Sequence, residues 1–216
     1  MSIQQTGERS RSDDGRAVRG RSRPLTVRHL GNGGIQINVN LGKPYSPSDP
    51  SMDLTDLRVA LVRSRFNTAI TEALAAGAHA IFREQGLPED RMEQFDVPGA
   101  FELAPTALRL ARSKRYDAIV PLGAVIRGET DHYQYVCRSV TDGLTRLAYD
   151  AERWGVVVTF GVLTTDTLEQ AAARAGGPDG NKGADAALAA LDVLHLWHRM
   201  DDTTRPHAAR YGFRDS

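Results

Sequence analysis

The sequence predicts a three-layer α/β sandwich, with a four-stranded parallel sheet covered by helices on both sides. Three observations point there. Short apolar runs alternate with stretches of helical spacing from Arg58 to about His198. The fourth run, Val156 to Leu163, is apolar almost throughout, as a strand covered on both faces must be. Apolar residues make up 41% of the chain, enough for a sizeable core, and only 6% of residues are aromatic, so that core has to be aliphatic and rich in alanine.

The elements follow in order. The first 30 residues carry seven arginines against three acids (Glu8, Asp13, Asp14), with no apolar period, and read as a disordered basic arm. Ile35, Ile37, Val39 and Leu41 then alternate with polar residues, predicting a short added strand near 35–41. Three prolines between Pro44 and Pro50 make a linker, so residues 1–50 form an extension ahead of a domain spanning 51–198. Arg58 to Val62 is the first domain strand. Asn67 is placed to cap a helix with Ile70, Leu74, Ala78 and Ile81 on one face, and Gly86 stops it. Gln94 to Val97 is the second strand, ended by Pro98-Gly99. Phe101 to Arg112 has helical spacing. Asp117 to Gly123 is the third strand, in which Pro121 suggests a bulge or a sheet edge. A long helix runs from about His132 to Trp154. After the fourth strand come a short helix near Thr167 and a last one from Lys182 to about Trp197. Residues 199–216, polar and charged, read as a flexible tail.

Composition removes several classes of function. Lys plus Arg and Asp plus Glu number 27 each, so the chain is not basic overall, and the arginine arm reads as solvated rather than as a nucleic-acid contact. The one cysteine, Cys137, excludes an internal disulfide framework and a multi-Cys zinc site, and it reads as a small buried apolar residue. His195 and His198 lie three apart without a third ligand, so no metal is expected. No apolar run suffices to span a bilayer, and the polar start is unlike a signal peptide, so a cytoplasmic protein without a membrane partner is expected.

Ligands of such sheets bind beyond the carboxyl ends of the strands, which singles out four loops. In the first, Phe66 is either tucked into the core or exposed as a stacking platform for a planar ring. In the second, Pro98-Gly99 makes a tight turn, and Glu102 either favours the positive helix end or accepts from ligand hydroxyls. The third, 123–132, ends at a helix start with Thr130 and Asp131 as cap candidates. Free N–H groups there suit a phosphate, and His132 is either structural or a neutral ring placed to take a proton. The fourth leads to a stretch with four glycines, Arg174 and Lys182, which either pairs with phosphate or is simply the turn between two helices. Neither a GxxxxGK[ST] nor a GxGxxG pattern is present.

Five segments, SRFN at 64–67, VPGAFE at 97–102, GAVIRGETDHYQYV at 123–136, FGVLTT at 160–165 and RAGGPDGNKG at 174–183, together resemble the lumazine synthase (6,7-dimethyl-8-ribityllumazine synthase) family of riboflavin biosynthesis. The likeness covers about 58–198. It implies a flavodoxin-like sheet and the condensation of 5-amino-6-(D-ribitylamino)uracil with 3,4-dihydroxy-2-butanone 4-phosphate, with no cofactor. It implies that Phe66 stacks on the pyrimidine, that Asn67 with Ala100, Phe101 and Glu102 holds the ribityl side, and that Ala124, Val125 and Ile126 border the ring. Gly128, Glu129 and Thr130 then wrap the phosphate with Arg174, and His132 moves the proton. Phe160 and Lys182, with Arg174, come from an adjoining subunit. The resemblance further implies a homopentamer and, in some members, a closed shell of about 60 chains. The strand at 35–41 is available to join a neighbour's sheet. The 50-residue extension and the longer tail depart from the family, as does Glu129, which puts a carboxylate beside the phosphate loop.

Two other readings use the same residues. A flavin or pterin carrier would keep the fold and the Phe66 platform without the chemistry. A structural shell or scaffold would use the arginine arm to recruit acidic partners. Neither needs Thr130, His132, Arg174 and Lys182 together.

Overall fold

The computed structural model describes residues 27–29, 35–37 and 54–210, with side chains described from 54 to 201. Two short strands, β1 (Val27–His29) and β2 (Ile35–Ile37), pair antiparallel, with Val27 opposite Ile37. The expected strand near 35–41 is thus seen over three residues, and its partner lies inside what composition alone reads as the arm. The remainder of the arm, of that strand and of the proline linker lies outside the described residues.

The domain itself begins with β3 (Val59–Ser64), followed by α1 (Thr68–Glu84), β4 (Met92–Val97) and α2 (Leu103–Ser113). Next come β5 (Ala118–Ile126), α3 (His132–Ala151) and two strand pieces, β6 (Val157–Val158) and β7 (Gly161–Thr165). The chain closes with α4 (Leu168–Arg174), a hairpin of β8 (Ala175–Gly177) and β9 (Gly180–Asn181), and α5 (Lys182–Arg210). The sheet runs β4-β3-β5-β6, with β7 continuing along β5 beyond β6, and every pairing is parallel. This is the predicted α/β sandwich on a four-row parallel sheet.

Side-chain alternation divides the core in two. Val59 and Leu61 of β3, with Val120 and Leu122 of β5, pack against Leu74 and Phe82 of α1 and Leu191 of α5. Their neighbours Ala60, Val62 and Ile119 face Leu103 of α2 and Val140 and Leu144 of α3. A strand whose residues alternate between two apolar layers has to be apolar at nearly every position, which is why β5 reads as a continuous apolar run.

Two strand expectations need correction. Pro121 lies in the central strand, opposite Val62 of β3, and not at an edge. The fourth strand is not continuous; it breaks between Val158 and Gly161. The two facts share a cause. Along that ladder Val157 donates to Asp117 O and Thr159 to Ile119 O, so the next donor from β5 would be the N–H of residue 121, which proline lacks. The interruption falls on the partner strand, where a one-dimensional pattern does not place it.

Helix α5 also runs past the expected stop near Trp197, through to Arg210. It docks on α1 at very short range. A Cβ at Gly183 would overlap the Leu74 carbonyl, and one at Gly77 would overlap the Asn181 side chain. Asn181 is 2% exposed and joins the two helices. Its Nδ2 donates to Ala73 O (2.8 Å), and its Oδ1 accepts from Gly183 N (2.9 Å) and Ala184 N (3.1 Å), capping α5. Asn181→Ala should therefore cost about 1–3 kcal/mol, the range for a lost cap with buried partners left unpaired, measured as a lower urea midpoint with an unchanged slope.

Candidate active site

All strands of the parallel sheet point the same way, so Ser64, Val97, Ile126 and Thr165 end at one edge of it, and the four loops leave from there. The first turns sharply. Asn67 has left-handed backbone (φ 57°, ψ 49°), and its side chain makes no cap bond to α1, contrary to expectation. Its Nδ2 donates instead to Ala124 O at the end of β5 (3.0 Å), while its own carbonyl receives Ile70 N and Thr71 N. Phe66, one residue earlier, is 69% exposed, which rules out the core reading.

In the second loop Gly99 N donates to Glu102 Oε2 (2.9 Å), closing a one-turn 3₁₀ segment over Ala100–Glu102 that leads into α2. Glu102 therefore serves the helix entry and also faces the cleft beside it. Phe101 is exposed as well. In the third loop Asp131 already has helical backbone and makes no side-chain cap bond, and Thr130 opens onto the cleft. The cap expectation is not met at Asp131, because a residue with helical φ and ψ cannot aim its side chain back at the following N–H groups.

These loops enclose a cleft of about 580 Å³. Its walls are Phe66, Ala100, Phe101, Glu102, Ala124, Val125, Ile126, Gly128, Thr130 and His132, all singled out by the sequence. Gly99, Tyr133 and Val136 complete it and were missed. Helical spacing offered a signal for the last, since Val136 lies four residues after His132. Asn67 stands behind the wall through its bond to Ala124, and Glu129 is exposed outside the lining.

Phe160, Arg174 and Lys182 do not join this cleft. They gather at a second one of about 380 Å³, walled by Gly161–Thr165, Asp185 and Ala186. Arg174 Nη1 lies 3.0 Å from Gln170 O and 3.1 Å from Asp179 Oδ2, and Lys182 Nζ lies 2.6 Å from Asp185 Oδ2. The glycine-rich stretch before Lys182 is the β8–β9 hairpin, in which Gly176 and Gly180 adopt positive φ (111° and 81°) that a side chain would resist. Phe160 is 46% exposed at the break between β6 and β7.

Arg127 bridges the third and fourth loops. Its N–H donates to Thr165 O (2.9 Å), its Nε to Asp166 Oδ1 (2.6 Å), and its guanidinium lies 4.4 Å from the Tyr133 ring centre. Burial pushes the half-buried Cys137 thiol up, consistent with an unreactive cysteine. Below the first two loops, Arg63 Nε and Nη2 donate to Asp96 Oδ1 (2.9 Å) and Oδ2 (2.6 Å), and Nη1 lies 3.1 Å from Glu72 Oε1. The Arg63 hydrogen bonds hold the Asp96 carboxyl below its ordinary range. Among the described residues, no helix is long and apolar enough to cross a membrane.

A parallel sheet covered on both faces, with an exposed aromatic, a histidine and a carboxylate at one strand-end cleft and two cations at another, marks an α/β protein with two candidate ligand clefts. Comparison with known proteins specifies it further. A sequence model of the family described as 6,7-dimethyl-8-ribityllumazine synthase matches residues 56–198. A 6,7-dimethyl-8-ribityllumazine synthase of Coxiella burnetii is 48% identical over 152 residues, 70% of this chain and 99% of that one. Those of Halorhodospira halophila and an Anaeromyxobacter species are 47% and 43% identical, covering 68% and 74% of this chain and 93% and 96% of theirs. The chain belongs to the 6,7-dimethyl-8-ribityllumazine synthase family.

Acid should expose the Arg63–Asp96 pair. A carboxyl held below its unfolded value contributes stability that is complete above about pH 5 and disappears as pH falls through the depressed folded value. The difference in unfolding free energy between the wild type and Asp96→Asn should be level at neutral pH and shrink in acid, measured by urea titrations. Tyr116 has the opposite sign. Burial and its bond to Glu93 (2.8 Å) push its hydroxyl up to about 12, so the difference from Tyr116→Phe should persist through neutral pH and close only as pH rises towards that value.

Proposed function

We propose that this chain condenses 5-amino-6-(D-ribitylamino)uracil with 3,4-dihydroxy-2-butanone 4-phosphate to 6,7-dimethyl-8-ribityllumazine, releasing phosphate and water, in riboflavin biosynthesis. The observation that carries the reading is the convergence of Phe66, Glu102, Thr130 and His132 on one cleft of about 580 Å³. The exposed Phe66 ring offers a stacking face for the pyrimidine. Glu102 and the turn from Ala100, with Asn67 holding the wall behind them, suit the ribityl hydroxyls, and Ala124 to Ile126 give the ring an apolar border. Gly128 and Thr130 lead into α3, whose first N–H groups suit a phosphate. Glu129 lies outside the lining, so its backbone rather than its carboxylate serves that anion.

The amine attacks the ketone to form an imine, phosphate leaves, and the ring closes. Holding both substrates in one cleft supplies much of the rate through orientation. His132 at the mouth of α3 transfers the proton. Phe160, Arg174 and Lys182 form the complementary half-site, offered to the cleft of an adjoining subunit, where Arg174 stabilises the departing anion. That two clefts on one chain each hold part of the set supports a homo-oligomer, which we take to be a pentamer able to close into a shell. We take residues 51–198 as the catalytic domain, working in the cytoplasm, with 1–50 and 199–216 as additions to it.

The direct test incubates the protein with both substrates and follows lumazine absorbance and phosphate release. His132→Ala should lower kcat by on the order of 10²–10⁴-fold with KM values near those of the wild type. Arg174→Ala should raise KM for the phosphate substrate, each lost charge-assisted bond costing about 1.5–3 kcal/mol. Light scattering should give a particle of at least about 0.12 MDa, five copies of the 23.6 kDa chain, and a monomer would contradict the shared site.

A further inference from the structure

We infer that Arg63 is a positioning residue for the pyrimidine platform, acting through Asp96 and Glu72 rather than by touching a substrate. The inference rests on the proposed reaction and concerns how its aromatic platform is kept still. Phe66 is 69% exposed and Phe101 59%, so core packing fixes neither ring. An exposed ring keeps a defined position only if the backbone on both sides of it is fixed. Losing that position costs binding, because ordering has then to be done by the ligand.

Arg63 is where that backbone is fixed. It is the penultimate residue of β3, two before the loop that carries Phe66, and only 11% of its side chain is exposed. Its fork grips Asp96, its register partner on β4, through two bonds of 2.9 and 2.6 Å. Asp96 is two residues before Pro98, where the loop carrying Ala100, Phe101 and Glu102 begins. The remaining arm of the fork reaches Glu72 Oε1 at 3.1 Å, on the helix into which the Phe66 loop runs. One planar guanidinium therefore ties the strand leading into the Phe66 loop, the helix leading out of it and the strand leading into the neighbouring loop. A lysine has no such fork.

The surroundings agree. Gln94 Nε2 donates to Asp96 Oδ1 (2.9 Å), the oxygen that Arg63 Nε also holds, and His79 Nε2 lies 3.3 Å from Gln94 Oε1. Between the tied flanks the loop is held in an uncommon shape. Arg65 N donates to Val97 O (2.8 Å), Thr68 Oγ1 donates to Arg65 O (2.6 Å), and Asn67 has left-handed backbone. None of Arg63, Glu72 and Asp96 lines the cleft.

The test compares steady-state kinetics of the wild type with Asp96→Asn, Arg63→Lys and the double variant Arg63→Met/Asp96→Asn. The double variant leaves no buried charge without its partner, so it separates positioning from a folding defect. KM for the ribitylaminouracil should rise about tenfold in all three, the equivalent of losing one charge-assisted hydrogen bond. KM for the phosphate substrate and kcat at saturation should stay within about twofold. Unchanged KM for the ribitylaminouracil in the folded double variant overturns the inference, as does an equal rise for both substrates. A wild type that forms no lumazine from the two substrates sinks the proposed reaction instead, and substrate binding by calorimetry then decides the role of Arg63 separately.

Discussion

Strand β5 has no free side. It bonds to β3 along one edge and to β6 and β7 along the other, and helices cover both faces. Its residues are buried from Ala118 to Val125. That enclosure fixes where everything else can go. Gly123 lets Leu103 of α2 come down onto the strand, since a Cβ there would stand 2.9 Å from Leu103 Cδ1. The height of α2 in turn places the turn from Ala100 to Glu102 at the strand ends. Ala124, the next residue, lends its carbonyl to Asn67 and so holds the first loop. The cleft is thus built outward from a strand that cannot shift without disturbing both layers.

The separation of the two clefts follows from the same geometry. His132 begins α3, which leaves from β5, whereas Arg174 ends α4, which leaves from β7. The loops between them are joined by Arg127, whose guanidinium spans from Asp166 to Tyr133. One chain therefore shows an aromatic and a histidine at one place, and an aromatic with two cations at another. Under the proposed reaction both sets have to meet the same ligand for proximity to supply rate, which calls for an assembly of copies.

Much of this was legible in the order of residues. The alternation of apolar runs with helical spacing identified the layers, because burial on two faces leaves few polar positions. The cleft walls were legible since the loops of a parallel sheet collect at one end. What escaped depended on contacts distant in the chain. Asn67 looked like a helix cap, but its side chain is claimed by a carbonyl 57 residues later. The Arg63–Asp96 pair needs the register of β3 on β4, which no local pattern reveals. The continuation of α5 beyond Trp197 escaped because its residues there are polar enough to read as tail.

The proline in β5 has a reach beyond the one bond it withholds. Residue 160 shares parity with Val158 and Val162, whose side chains face the α2 and α3 layer. In an unbroken strand its phenyl group would be drawn flush with that wall. Because the ladder lapses just before it, the ring escapes the pleat and stands at the rim. An amide hydrogen restored at position 121 would let the ladder run on through residue 159, and the aromatic at 160 would be spent on the interior.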